Sequence, residues 1–231
     1  GALDGTVRLR GSLGSLTADA RAVLLQAAYG ENRVDSLVLD LRAEGLPRWD
    51  GTIQGEVRAR GVQVEERAFQ AVEATVAMTD RQGDAMVHVV REPEEELELE
   101  GGFALDSLGL GSVDLQQGRL RLDSLVWETA GTSRLRWDRG RVEVEDLRVR
   151  RSGQEPMELT AEGVLSWADT SDFRLQIDGA RMAPLVRLLE LEDLELGGAV
   201  YADLAVVGPA RTPEVDAQVR WLDAAYQEVA A

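Results

Sequence analysis

At 231 residues with 42 acidic and 25 basic side chains, the chain carries a net charge of −17, which argues against binding nucleic acid or docking on an anionic membrane surface. It has no Cys and a single His, His88, so it offers no disulfide framework, no thiolate nucleophile and none of the usual Cys/His zinc sets, and any His-based triad would have to be built on that one residue. No apolar run approaches the ~18–20 residues of a membrane-spanning helix, and the N-terminus lacks the charged and apolar regions of a signal peptide.

In chain order, Val7 and Leu9 alternate with Arg in a first short strand, Gly11 to Ser15 turns the chain, and a second strand runs toward Tyr29. Gly30-Glu31-Asn32 turns again into a strand carrying Val34, Leu37, Leu39 and Leu41, whose period of two slips by one residue at Asp35-Ser36. The same apolar-x-x-apolar-x-apolar spacing recurs at Phe69/Val72/Ala74, Leu122/Leu125/Trp127 and Val144/Leu147/Val149. A slip flips later side chains to the other face unless a residue is bulged out. Four slips therefore predict four β-bulges or bends, near Asp35-Ser36, Gln70-Ala71, Asp123-Ser124 and Glu145-Asp146.

Trp49-Asp50-Gly51 reads as a turn before a strand with Ile53, Val57 and Ala59. The segment around Glu65 to Ala74 has helical propensity, but the strict alternation of Val72, Ala74, Val76 and Met78 favours strand. Gln82-Gly83-Asp84 reads as a turn, Met86 to Val90 and Leu97 to Leu105 as strands, and the acidic run from Glu92 to Glu96 as a solvated turn between them. Strands continue through Val113-Leu115, Leu120-Trp127, Arg134-Trp137, Val142-Val149, Met157-Trp167 and Phe173-Ile177. A short apolar segment over 183–191, with Pro184 near its start, predicts the one helix. Val200, Ala202, Leu204 and Val206, then Val215, Ala217, Val219 and Trp221 across the Gly208-Pro209 and Thr212-Pro213 breaks, predict a closing hairpin.

The chain repeats itself. Gly11, Asp19-Ala20, Leu25, Ala27-Ala28 and Tyr29 reappear as Gly208, Asp216-Ala217, Leu222, Ala224-Ala225 and Tyr226, each 197 residues later. The units beginning at Gly118 and Gly140 lie 22 residues apart, and the shared DSLV at Asp35 and Asp123 lies 88 apart, four times that spacing. About 22 residues is the length of one hairpin.

The stretch APLVRLLELEDLELGGAVYADLAVVGPARTPEVDA, from Ala183 on, resembles the recurring unit of the AsmA-like superfamily, in particular the TamB-type (translocation and assembly module) envelope proteins. The resemblance covers about the last 50 residues closely and the rest at the level of strand rhythm. It implies a groove-shaped β-structure in the Gram-negative periplasm that moves lipid between membranes or supports outer-membrane assembly. The partners it implies are phospholipid acyl chains and an outer-membrane β-barrel protein, and it carries no catalytic residue. Because the chain lacks an initiator Met and opens on a repeat already under way, the expectation is an internal fragment, with an inner-membrane anchor outside it.

Other chemistry is unsupported. His88 lies inside an apolar strand; Asp169 to Asp172 lacks the ligand spacing of a calcium loop; the carboxylates alternate with apolar residues as on a solvated face; and no Gly-rich phosphate loop opens a helix. The sequence thus predicts an all-β, non-enzymatic chain: a long curved antiparallel sheet of 14–16 strands in one repetitive segment, 1–231, with neither cofactor nor metal. The alternating aliphatic positions are the candidate groove lining: Val34, Leu37, Leu39, Val72, Val76, Leu122, Leu125, Trp127, Val142, Val144, Leu147, Val149, Val200, Leu204 and Val206. A non-enzymatic structural or protein-interaction module of the cell envelope is the alternative.

Overall fold

Alternating β-branched and aliphatic residues, punctuated by Gly, Asp and Pro, leave the chain little choice but antiparallel hairpins. The computed structural model describes residues 1–12, 15–46, 51–65, 67–106, 111–122, 125–151, 156–182 and 194–228, with side chains for all but 194–195 and 226–228. Its described elements are fifteen strands, every pairing antiparallel and almost always between chain neighbours. The expected helix over 183–191, the Asp123-Ser124 bulge and most of the Trp49-Asp50 turn lie outside the described residues.

The chain forms two compact units, Gly1–Ser124 and Leu125–Ala231. The first contains β1 (Ala2–Ser12), β2 (Ser15–Tyr29), β3 (Asn32–Leu46), β4 (Thr52–Val64), β5 (Arg67–Thr79), β6 (Gln82–Glu92), β7 (Glu95–Leu105) and β8 (Gly111–Leu122), paired in chain order. Of the Glu65 to Ala74 segment, Glu65 lies in a turn (φ 54°) and Arg67 onward is strand, as the period of two requires. In the second unit, β9 (Leu125–Thr129) and β10 (Ser133–Asp138) both lie along β11 (Arg141–Arg151), followed in order by β12 (Met157–Ser166), β13 (Thr170–Arg181), β14 (Leu194–Pro209) and β15 (Glu214–Glu228).

Several local expectations need correction. The turn into β6 is Asp80-Arg81, both with positive φ (50° and 69°), the geometry of a tight two-residue hairpin. Gly83 already pairs with Met78, and a Cβ there would sit 2.0 Å from the Ala77 carbonyl oxygen, so this glycine marks close strand approach rather than the turn. Residues Val113 to Leu120 form one strand, because the shift between Glu100/Gly101 on β7 and Leu115/Gln117 on β8 absorbs the irregularity at Gln116 as a bulge. The single strand expected over Leu120–Trp127 is instead the end of β8 and the start of β9. Glu95 and Glu96 belong to β7, so the acidic turn is shorter than the acidic run.

The slips resolve in two ways. On β11 the register against β12 shifts between Val144 and Leu147, with Asp146 at φ 51°; this is the expected bulge. At the slips on β3 and β5 the register does not shift. The row Gln26–Asp35–Gly61–Gln70 drops out of the ladder on all four strands, while pairing on either side keeps step. Its left-handed residues are Gln26 (φ 50°) and Gly61 (φ 58°), on the strands neighbouring the slips. Because all four strands are irregular in the same row, none needs an extra residue.

Candidate functional site

Alternation puts residues i and i+2 on one face, and register decides which faces line up across strands. In the first unit the registers align the same chemistry throughout. One row reads Leu3–Leu24–Leu37–Ala59–Val72–Val89–Leu97–Leu120 and the next Gly5–Ala22–Leu39–Val57–Ala74–Val87–Leu99–Gly118. Then come Val7–Ala20–Leu41–Gly55–Val76–Ala85–Gly101–Leu115 and Leu9–Ala18–Ala43–Ile53–Met78–Gly83–Phe103–Val113. These four rows contain no polar side chain. At ~4.8 Å between strands and ~6.7 Å between same-face rows, they span about 34 Å by about 20 Å.

The opposite face is predominantly polar, as in the row Thr6–Arg21–Asp40–Glu56–Thr75–Met86–Glu100–Gln117, where Met86 is the one apolar side chain. Cross-strand ion pairs lie on it, such as Arg21 Nε to Asp40 Oδ1 at 2.7 Å. Exposed pairs of this kind contribute little stability.

The second unit repeats the division. Leu135–Val144–Gly163–Phe173–Val206–Val215 form one row; beyond the β11 bulge, Leu147–Ala161–Leu175–Leu204–Ala217 and Val149–Leu159–Ile177–Ala202–Val219 continue the same face. Gly163 (φ 108°) permits the contact at the centre of the first row, since a Cβ would meet the Asp172 carbonyl oxygen at 2.0 Å. Arg136, Glu143, Glu145, Arg150 and Glu158 pair on the other face. One departure was not legible in the sequence: Arg151, only 4% exposed, sits on the aliphatic side between Trp127 and Met157, with the Trp127 indole N–H donating to Met157 Sδ at 3.3 Å.

Burial separates the two faces. The buried apolar residues are Ala18, Ala43, Ile53, Ala59 and Met78 in the first unit and Trp127, Val144, Met157, Ala161 and Ala180 in the second; all lie on the aliphatic side. Most of that side is only half-buried, as in the row Leu39–Val57–Ala74–Val87–Leu99. No helix or second sheet covers it among the described residues. Clefts on the charged faces, one of about 460 Å³ lined by residues such as Arg148, Glu162, Arg174 and Asp203 and one of about 820 Å³ around Arg8, Arg21, Asp40 and Glu56, are gaps between long ionic side chains open to solvent.

Of the candidate lining residues, Trp127 and Val144 are buried, and Val34, Leu37, Leu39, Val72, Val76, Leu122, Leu125, Val142, Leu147, Val149, Val200, Leu204 and Val206 are half-buried. Register places all except Val34 on the aliphatic faces; Val34 lies beyond the irregular row and pairs with Ala27 and Val62. Their neighbours Val57, Val87, Val89 and Leu99 belong to the same rows. The alternation of β4, β6 and β7 could have identified them.

His88 stands on the charged face, its Nε2 2.7 Å from Glu96 Oε1, while Arg121 Nη2 donates to Glu96 Oε2 at 2.7 Å. The His88 hydrogen bond, with the charge of Arg121 adding to it against the cost of partial burial, holds the Glu96 carboxyl below its ordinary range. His88, Glu96 and Glu98 bring ligand atoms within 4.8 Å of one another, but the Arg121 guanidinium already neutralises Glu96 and would repel a cation. The cluster therefore acts as a polar clamp across β6, β7 and β8.

No known protein family, curated protein or solved structure matches this chain.

Proposed function

We propose that this chain is a β-groove segment of a periplasmic envelope protein, whose aliphatic sheet faces hold lipid acyl chains and let lipid pass between the inner and outer membranes. One observation carries the reading: four successive rows of the first unit lack any polar side chain, yet outside the buried Ala18, Ala43, Ile53, Ala59 and Met78 most of their side chains stay half-buried, with no second layer among the described residues. A continuous apolar face of about 700 Å² in outline, most of it half-buried rather than sealed, is of the size that in soluble proteins marks a binding surface. Acyl chains fit it in size, because one leaflet of a bilayer is about 15 Å of hydrocarbon. The resemblance of the last 50 residues to TamB-type proteins supports the same reading.

The energetics are favourable. Each CH₂ moved from water to an apolar surface is stabilised by about 0.8 kcal/mol, so a sixteen-carbon chain faces roughly 10 kcal/mol to cross an aqueous gap unaided. A continuous aliphatic track removes most of that barrier without chemical work, which is why the reading needs no catalytic residue. The rival, a structural module whose aliphatic face is covered by protein, is favoured by the buried cluster Ala18, Ala43, Ile53 and Met78, where protein already seals part of that face.

Site-specific photo-crosslinking separates the two. A crosslinker at Val57 or Val87 is expected to capture phospholipid, identified by mass spectrometry, while one at Glu56 or Glu73 on the opposite face captures none. Protein adducts instead of lipid at Val57 would favour the structural module, and equal lipid capture on both faces would overturn the transport reading.

A further inference from the structure

Along its strands, the aliphatic face of the first unit has two unlike ends. At one end the row containing Ala18, Ala43, Ile53 and Met78 is buried, and Leu46 and Phe103 pack against it. The three rows that follow, through Leu41, Leu39 and Leu37, are half-buried across β2–β8 apart from Ala59, Gly101 and Gly118.

Two residues beyond the Leu37 row the chemistry changes. The positions there on β2–β7 are Gln26, Asp35, Gly61, Gln70, Arg91 and Glu95, polar wherever there is a side chain. Gln26, Asp35 and Gln70 are exposed, and a Cβ on Gly61 would collide with the Asp35 carboxylate, so the glycine leaves that carboxylate its place in the row. On β7, register sets Glu95 opposite Leu122 and therefore on the aliphatic side. Its side chain is only 15% exposed, and Arg91 Nε lies 3.5 Å from its Oε2. A carboxylate is rarely held this deep on an apolar face unless it is paired, and this pair continues across β6 and β7 the polar boundary that the exposed residues draw on β2, β3 and β5.

We infer that a phospholipid on this face lies along the strands in one direction, with the ends of its acyl chains against the Ile53–Met78 row and its headgroup at the Arg91–Glu95 row. The inference rests on the lipid-binding reading above and adds a direction to it. Between the two boundary rows the three aliphatic rows occupy about 20 Å at ~6.7 Å each, enough for the ~15 Å of hydrocarbon in one leaflet. A headgroup driven into the buried row would lose its water without gaining partners, whereas methyl ends have no such cost. The polar row also runs across β2–β7 parallel to the aliphatic rows. A lipid moving sideways from strand to strand therefore keeps its headgroup wet and its chains covered at every step.

Because the chain has no Cys, one introduced cysteine carries a fluorophore at one known place. Val89→Cys lies in the row beside the polar boundary, and Ala85→Cys lies two rows deeper on the same strand. Each labelled chain is loaded from phosphatidylcholine vesicles whose acyl chains are brominated near either the carboxyl or the methyl end. The two label sites are ~13 Å apart, close to the depth of one leaflet, so carboxyl-end bromines should quench the label at 89 about twofold more than the label at 85, and methyl-end bromines should reverse the ratio. Arg91→Leu combined with Glu95→Leu replaces the ion pair by apolar side chains, a change that folds compatibly elsewhere; with folding checked by circular dichroism, both ratios should move toward one. Equal quenching at the two sites, the opposite pattern, or unchanged ratios in the folded double variant would overturn the direction proposed here while leaving lipid binding in place. Absence of quenching at both sites with both lipids would sink the lipid reading itself, and this inference with it.

Discussion

Placing a carboxylate on the aliphatic side should have different costs at two positions that look alike in sequence. Val144 is buried, 9% exposed, between Leu135 and Gly163. Val144→Glu forfeits about 2 kcal/mol of apolar burial and leaves a desolvated carboxylate without a partner, at a further ~2–4 kcal/mol. The loss of about 4–6 kcal/mol approaches the whole stability of an ordinary domain. Leu39 is half-buried between Ala22 and Val57. Its replacement by Glu loses about 1 kcal/mol of burial, and the carboxylate reaches water, so the total stays near 1–2 kcal/mol. Urea unfolding monitored by circular dichroism measures both. The Val144→Glu deficit should shrink as pH falls toward the ordinary Glu range of about 4.3, because burial raises that carboxyl's pKa and protonation removes the penalty. Leu39→Glu should fold and yet lose lipid. Equal destabilisation at the two sites would refute the distinction between sealed and open parts of the face, and undiminished lipid content in Leu39→Glu would refute a track through β3.

Two glycines with positive φ should respond differently to alanine. Gly163→Ala drives a Cβ into the Asp172 carbonyl and should cost about 3 kcal/mol or more, whereas Gly30→Ala, with nothing within 4 Å, should cost about 1 kcal/mol; thermal unfolding of the two variants compares them. The depressed Glu96 carboxyl contributes stability that is present above the unfolded Glu pKa of about 4.3 and lost as pH falls through the lower folded value. Glu96→Gln should remove that part of the acid limb in a pH series of unfolding midpoints, and an unchanged acid limb would contradict the His88–Glu96–Arg121 arrangement. His88→Ala should lower stability by about 1 kcal/mol and leave lipid content unaltered; loss of lipid from a folded His88→Ala chain would give this residue a role that its place on the charged face does not predict.

The residue order alone determined that this is an all-β chain of hairpins with one aliphatic and one charged face. Alternation is a local property of an extended backbone: Val142, Val144, Leu147 and Val149 carry it whatever their partners. The repeat at 197 residues and the bulge at Glu145-Asp146 were legible for the same reason, since each is written within a strand or by comparing two stretches of chain. Tertiary structure decided what depends on partners distant in sequence. Register brought Leu39, Val57, Ala74, Val87 and Leu99 into one row, and kept the Asp35 and Gln70 slips in step by placing them beside Gln26 and Gly61. Depth of burial parted Val144 from Leu39, which no periodicity could do, because solvent exclusion is set by neighbouring strands and not by the residue's own pattern. The His88–Glu96–Arg121 clamp and the buried Arg151 went unseen for that reason too: each depends on side chains from three strands meeting across the sheet, a distance the local alternation of any one strand does not record.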